Sequence, residues 1–266
     1  MQVNAAAGQA VEYGLRLGDE TIALNPLLGI EIKLRHTGSI NCVNCDQPTR
    51  KSFAQGYCYP CFIKLAECDA CIMSPEKCHF AEGTCRDPEW GKTYCMQSHF
   101  VYLANSSGLK VGLTRDTPET RWIDQGAVQA MLIARVASRQ LAGFVEAALR
   151  QYISDRTQWQ RMLKGDIELI DLPQAWEDLR PDVLPRIREL QSNHGADAIK
   201  LLDESPVSVL SYPVETYPTK VKSLNFDKTP EIGGVLEGIK GQYLIFDTGV
   251  INIRKFGGYE VEFSGA

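Results

Sequence analysis

The chain has 266 residues, of which 44% are hydrophobic, 23% charged and 9 cysteine, with a formal net charge of −5. A chain this long buries a core without disulfide staples, which excludes a disulfide miniprotein, and its apolar content excludes extensive disorder. No apolar run approaches the roughly 20 residues that a membrane span needs.

The stretch Met1–Gln9 carries no basic residue and no long apolar core, so no secretory signal is expected there. The reading is a cytoplasmic protein, where thiols stay reduced and bind metal more often than they pair. Residues 11–40 alternate short apolar and polar stretches punctuated by Gly14, Gly18, Gly29 and Gly38. "TIALNPLLGIEIKL" predicts strand, Asn-Pro turn, strand. Residues 1–41 form an expected N-terminal β segment.

All nine cysteines fall between Cys42 and Cys95, so residues 42–99 form a cysteine-rich region. Cys42-x2-Cys45 and Cys58-x2-Cys61 are two CxxC turns twelve residues apart. Each turn can offer two thiolates to one ion, and two turns complete a tetrahedral zinc site of ribbon type. A redox CxxC would need one pair in a thioredoxin-like βαβ setting, which is missing. Gly56 stands just before the second pair, where the chain must turn tightly.

The remaining candidate ligands are Cys68, Cys71, Cys78, His79, Cys85, Cys95 and His99. One set for a second zinc is Cys78, Cys85, Cys95 and His99. Another is Cys68, Cys71, Cys78 and Cys85. The alternative to both is that some of these thiols are buried as small apolar groups. No open three-ligand pattern of a catalytic zinc is present, so the sites are expected to be structural.

Residues 100–156 form the next unit. "HFVYLANSSGLKVGLT" predicts two strands around an Asn-Ser-Ser-Gly turn, and Ala130–Val136 a third strand. In Arg139–Ile153, Leu141, Phe144, Val145, Ala148, Leu149 and Tyr152 recur at helical spacing behind Ser138 as N-cap. Arg139, Gly143, Glu146 and Arg150 share the opposite face, where Gly143 removes bulk for an approaching backbone or ligand. Residues 101–164 carry nine Lys and Arg against five Asp and Glu, making this the one basic segment. A phosphate-binding surface is expected here, with Arg115, Arg139 and Arg150 as nucleic-acid-binding candidates.

Residues 157–205 read as largely helical, interrupted by Pro173, Pro181 and Pro185. Residues 206–266 read as a C-terminal β region, with "QYLIFDTGVINIRKFGGYEVEF" giving strands joined at Asp-Thr-Gly and Gly-Gly. "LLGIEIKL" near the start echoes "LEGIKGQYLIF" near the end. These are either two similar strands or two parts of one β module that brackets the middle of the chain.

Residues 101–146 resemble the GIY-YIG nuclease superfamily. "VYL" at Val101–Leu103 matches the GIY strand with Tyr102 at its tyrosine, and "KVG" at Lys110–Gly112 matches YIG with Lys110 in place of the second tyrosine. Arg121 lies nine residues past Gly112, near the place of the family's arginine, and Glu146 falls on a helix at the place of its metal-binding glutamate. The resemblance implies an α+β fold: a GIY-YIG-like small antiparallel sheet with helices, here preceded by a zinc-ribbon region and flanked by β segments at both termini. It also implies a catalytic set of Tyr102, Lys110, Arg121 and Glu146, with Tyr102 serving the nucleophilic water, Arg121 binding the scissile phosphate and Glu146 holding Mg²⁺.

Over nearly its whole length, in "QGYCYPCF", "SPEKCHFAEGTCRDPEWG" and "GIKGQYLIFDTGVINIR", the chain also resembles an uncharacterised bacterial domain-of-unknown-function family, DUF2797. The functional expectation is a zinc-stabilised, Mg²⁺-dependent endonuclease acting on DNA or RNA, with no membrane association. The alternatives are a non-catalytic zinc-dependent DNA- or RNA-binding protein and an adaptor for an unidentified protein partner.

Overall fold

The computed structural model describes residues 1–6, 8–115 and 118–265. The chain opens with an antiparallel meander of β1 (Gln2–Asn4), β2 (Glu12–Leu17) and β3 (Glu20–Ala23). A 3-10 turn at Asn25–Leu27 follows, with Pro26 in its first turn, and then the long strand β4 (Glu31–Ile40). The cysteine-rich region holds only short helices: α1 (Tyr59–Lys64), α2 (Ala70–Met73) and α3 (Pro88–Tyr94). So little regular structure leaves this region dependent on cross-links for its shape.

The central unit runs β5 (His99–Asn105), β6 (Leu109–Thr114), α4 (Pro118–Asp124), β7 (Gln129–Val136) and α5 (Arg139–Leu149). Its strands are antiparallel in the order β6-β5-β7. Period-two alternation sorts the side chains of β5. Val101 and Leu103 enter the core shared with α5, whereas Tyr102 and Ala104 cluster with Trp122 of α4. Ser138 caps α5 by accepting from the Leu141 amide at 3.3 Å. The helix stops at Leu149, earlier than the periodicity predicts, because the chain leaves to run beside β6, where the Val111 amide donates to the Ser154 carbonyl.

Beyond it lie α6 (Trp159–Lys164) and α7 (Leu172–His194). The prolines were expected to interrupt this region, yet α7 continues through Pro181 and Pro185. Both are exposed and four apart, on the solvent side. The opposite face buries Leu172, Trp176, Val183, Ile187 and Leu190 against the central sheet, and that burial outweighs the lost backbone bonds. Strands β8 (Ile199–Leu201) and β9 (Ser208–Val209) then add to β7.

The last elements are β10 (Glu231–Lys240), β11 (Tyr243–Phe246), β12 (Gly249–Asn252) and β13 (Tyr259–Gly265). They make one sheet with β4 in the order β12-β11-β10-β4-β13. The two ends of the chain therefore form one β module: β4 is a central strand between β10 and β13, and its Arg35 guanidinium binds Glu262. Ile32, Leu34, Leu236, Leu244 and Phe246 form its core together with Tyr13 and Leu15 of β2. No helix among the described residues is long and apolar enough to cross a membrane.

The cysteine-rich region docks on the face of α5 that carries Gly143. A Cβ there would lie 2.6 Å from the Glu76 nitrogen and 2.8 Å from the Pro75 Cβ. Gly143→Ala is expected to destabilise the protein by about 1–3 kcal/mol, as overpacking does, and to speed proteolysis within residues 66–98. Chemical denaturation and limited proteolysis check this; wild-type values for both would refute the close approach.

Candidate functional site

The first cysteine group hangs from the end of β4. The Cys42 amide donates to the Gln47 carbonyl at 2.9 Å, and the Asp46 amide to the Cys42 carbonyl at 2.8 Å, closing a tight turn with Asp46 at φ +55°. The second turn follows a small hairpin in which Phe53 pairs with Tyr57, and Cys58 then precedes α1, which carries Cys61. The two turns touch at Gly56, where φ is +145° and a Cβ would lie 2.6 Å from Val43. Glycine is required there on both counts.

The four sulfurs of Cys42, Cys45, Cys58 and Cys61 lie within 4.8 Å of one another, and Cys45 and Cys58 are 3.8 Å apart. A tetrahedron with metal–sulfur bonds of about 2.3 Å has edges of about 3.8 Å. Burial pushes the Cys42 thiol up, but backbone N–H groups of Cys58, Cys45 and Asn44 outweigh it and bring the thiol down to about 6. The Asn44 side chain, 3.4 Å away, pulls Cys61 down, but burial and the thiols of Cys58, Cys45 and Cys42 push it up to about 12. One thiolate forms readily and then opposes the others, unless a cation is shared among them. The donors and their spacing fit a closed four-thiolate zinc ion, which is a structural arrangement.

The second group divides. Cys68 faces Glu67, Arg86 and Cys42, on the side of the first group. Cys71, Cys78, Cys85 and Cys95 line one small enclosed cavity with Asp69 and His79. His99 is buried at the start of β5, its Nδ1 2.8 Å from the Gln97 carbonyl oxygen, and is not among the lining residues. Each set expected from sequence thus shares three residues with the cavity and misses one: the first contains His99 and the second Cys68, where the cavity has Cys71 and Cys95 respectively.

The second candidate site lies on the central sheet. Tyr102 on β5 pairs with Gly112 on β6, and a Cβ at Gly112 would lie 2.5 Å from the Tyr102 hydroxyl oxygen. The glycine makes room for the ring. The Tyr102 hydroxyl donates to Gln125 Oε1 at 3.0 Å, and Lys110 Nζ donates to the same oxygen at 2.8 Å. Burial raises Tyr102 to about 12, against the pull of Arg121 and with a push from Glu146. Burial and the neighbouring Arg121 bring Lys110 down to about 8, while Glu146 and Asp155 act upward. Burial likewise raises Glu146; Arg150 and Lys110 oppose this, and Asp155 and Glu76 add to it. Tyr102, Lys110, Arg121 and Glu146 therefore share one electrostatic neighbourhood.

Sequence reasoning missed Gln125, Asp155 and Glu76. Gln125 was within reach, since it follows Arg121 by four residues at the end of α4. Glu76 had no local signal: it comes from the cysteine-rich region, 74 positions before Arg150, which it pairs with at 3.2 Å. The α5 face predicted to be shared by Arg139, Gly143, Glu146 and Arg150 is covered by that region. Arg139 Nη2 donates to the Ile72 carbonyl at 2.7 Å, and Arg150 also holds Asp155 at 3.3 Å. The Arg115 guanidinium lies 4.8 Å over the Tyr94 ring.

Cys58→Ser is expected to lower bound zinc by one equivalent per chain and to disorder residues 42–61, because binding and local folding are coupled; unchanged metal content would contradict it. Lys110 gives a second prediction. Its folded pKa is lowered from 10.5 to about 8. The penalty is therefore fully present below pH 8 and is relieved as pH rises from about 8 towards 10.5, where the unfolded chain also loses its proton. Lys110→Met should stabilise the protein at pH 7 by about 1–3 kcal/mol, and the gain should shrink as pH rises to 10. Denaturant melts of both proteins at pH 7, 8.5 and 10 check it; a gain independent of pH would refute it.

No curated protein and no solved structure matches the chain. The family model described as "Protein of unknown function (DUF2797)" matches residues 29–261, which spans the sheet-forming strands β4 and β10, both cysteine groups and the whole central unit. The chain belongs to the DUF2797 family.

Proposed function

We propose that the protein is a zinc-stabilised, Mg²⁺-dependent phosphodiester endonuclease of GIY-YIG type, acting on DNA or RNA in the cytoplasm. One observation carries the reading: the antiparallel strands β6-β5-β7 of the central five-stranded sheet, with α4 and α5, bring Tyr102, Lys110, Arg121 and Glu146 into one electrostatic neighbourhood. Arg121 is exposed in the last turn of α4, beside the Tyr102 hydroxyl with which it interacts, and its guanidinium would meet a phosphate there in bidentate fashion. Lys110, brought down to about 8, exists partly as the neutral amine near pH 8. With Tyr102 it would orient and deprotonate the attacking water, and Gln125 fixes both groups through one oxygen. Glu146 is the residue that would hold Mg²⁺, and the ion would supply charge neutralisation at the phosphate. Burial raises the Glu146 carboxyl, and a divalent cation bound there would offset this by favouring the ionised form.

A second reading is binding without cleavage, favoured by the complete burial of Tyr102 and by the pairing of Arg150 with Glu76 and Asp155. A third, an adaptor that docks a protein on the terminal β module, predicts a stoichiometric protein partner and no affinity for nucleic acid at low salt.

The test is incubation with branched, nicked and single-stranded DNA and RNA, with and without Mg²⁺. Cleavage should need Mg²⁺ and fall at least about 100-fold in Glu146→Ala and Arg121→Ala, as for loss of a group that stabilises transition-state charge. No cleavage of any substrate, or equal cleavage by Glu146→Ala, would overturn the nuclease reading. Salt-dependent binding with no turnover would then select the second.

A further inference from the structure

Four cysteines outside the ribbon come from four different places in the cysteine-rich region. Cys71 lies on α2, Cys78 follows the turn Pro75–Lys77, Cys85 stands just before α3, and Cys95 caps its C-terminus. They line one cavity of about 10 Å³, room for an ion or one water; no three of these four sulfurs lie within 4.8 Å of one another, so a bound ion would have to draw them together. Cys71 is near enough to feel the charges of Cys78, Cys85 and Cys95, and Cys95 those of Cys78 and Cys85. The backbone makes space for this: a Cβ at Gly91 would lie 3.3 Å from the Cys85 sulfur and 2.9 Å from the Phe80 ring.

We propose that Cys71, Cys78, Cys85 and Cys95 form a second tetrathiolate zinc centre, with Arg139 of α5 as its positioning residue and counter-charge. A zinc ion with four thiolates carries two net negative charges and calls for N–H donors around it. Arg139 is the cation placed to answer. Its charge acts on both Cys95 and Cys71, its Nη2 is fixed by the Ile72 carbonyl, and its Nε is buried with no hydrogen-bond partner. An unmet buried guanidinium N–H is costly beside a neutral thiol and is satisfied beside a metal-bound thiolate. Two further bonds tie the site to the same helix. Gln140 Nε2 donates to the Cys78 carbonyl at 2.7 Å, and the Arg139 amide to the Cys95 carbonyl at 2.8 Å.

A competing set on the same wall is Asp69, Cys71 and His79, whose ligand atoms lie within 4.8 Å of one another. Those of Asp69 and His79 are already engaged. Asp69 Oδ2 is 2.8 Å from Arg86 Nε and 3.4 Å from His79 Nε2, Asp69 Oδ1 accepts from the Ala70 amide, and His79 Nδ1 is 2.8 Å from Thr84 Oγ1. That set also offers one thiol where the cavity offers four, fewer than the two or more that closed structural zinc sites use. The second centre would sit between the ribbon and α5, so the helix bearing Glu146 would be clamped by a metal. The proposal concerns metal content and stands whether or not the chain cuts nucleic acid.

The test is metal analysis and X-ray absorption on the full chain purified with zinc. Two zinc ions per chain and an average shell of four sulfurs at about 2.3 Å are expected. Cys85→Ser and Cys58→Ser should each leave one zinc. One zinc in the wild-type protein, or a mixed sulfur and nitrogen or oxygen shell, would overturn the proposal without reliance on any variant. Loss of a zinc in His79→Ala with two retained in Cys85→Ser would also overturn it. In Arg139→Gln both zincs should remain, but a chelator should remove one of them about tenfold faster, with Arg139→Lys in between. Unchanged release would remove Arg139 from the site.

Discussion

The cysteine-rich region and the central sheet are joined by one close approach, at Gly143. No other side chain fits where the Pro75–Glu76 backbone crosses α5, because even a methyl would lie 2.6 Å from the Glu76 nitrogen. Around that point Ile72, Cys78 and Cys95 each present a carbonyl to Arg139 or Gln140, and Glu76 reaches Arg150. A region with almost no regular structure is thereby held to a helix by main-chain acceptors that cannot swing away. The same helix carries Glu146. The position of that carboxylate consequently depends on a segment 70 positions earlier in the chain.

The charges at the central site are not arranged for stability. Lys110 is almost fully buried and close to Arg121, and Glu146 stands near Asp155 and Glu76. Glu76 Oε2 is buried with no partner. Groups shifted in opposite senses within one small volume are what acid–base chemistry needs and what a structural core avoids. The contrast with Arg35 and Glu262, an exposed pair on the terminal sheet, is instructive: that pair needs no special environment and creates none.

Much of this was legible in the sequence where the signal is local. Two CxxC turns with a glycine between them announced a four-thiol group, and the spacing of Arg139, Gly143, Glu146 and Arg150 announced one helix face. The turns at Asn105–Gly108 and Asp247–Gly249 joined strands as their residues imply. The reading faltered where tertiary contacts decide. Pro181 and Pro185 looked like breaks, but the burial of Trp176, Val183 and Ile187 overrides them. At the α5 face the sequence left open whether a backbone or a ligand approaches Gly143, and the chain at Pro75 and Glu76 is what does. His99, a candidate ligand by its proximity in sequence to Cys95, is the first residue of strand β5, a placement that no local signal fixed. Gln125, which binds both Tyr102 and Lys110, belongs to no motif; its spacing from Arg121 was the one local pointer, and its two partners come together only once β5, β6 and α4 are assembled.

The placement of β4 between β10 and β13 bears on how the protein comes into being. Arg35 and Glu262 are neighbours in space and 227 positions apart in the chain. Such pairing is slow, because a very long loop must close before any of its bonds form. During synthesis the meander, the cysteine turns and the central sheet can each emerge and settle, while β4 waits with both edges open until β10 emerges and with one open until β13 follows. In that interval an unpaired strand is a template for other chains, one that the alternating charges of Glu31, Lys33 and Arg35 partly blunt. The first four-cysteine group begins two residues after β4 ends. A metal bound there early would stiffen that end of the waiting strand, and metal supply would then bear on how much chain reaches the folded state as well as on how stable that state is.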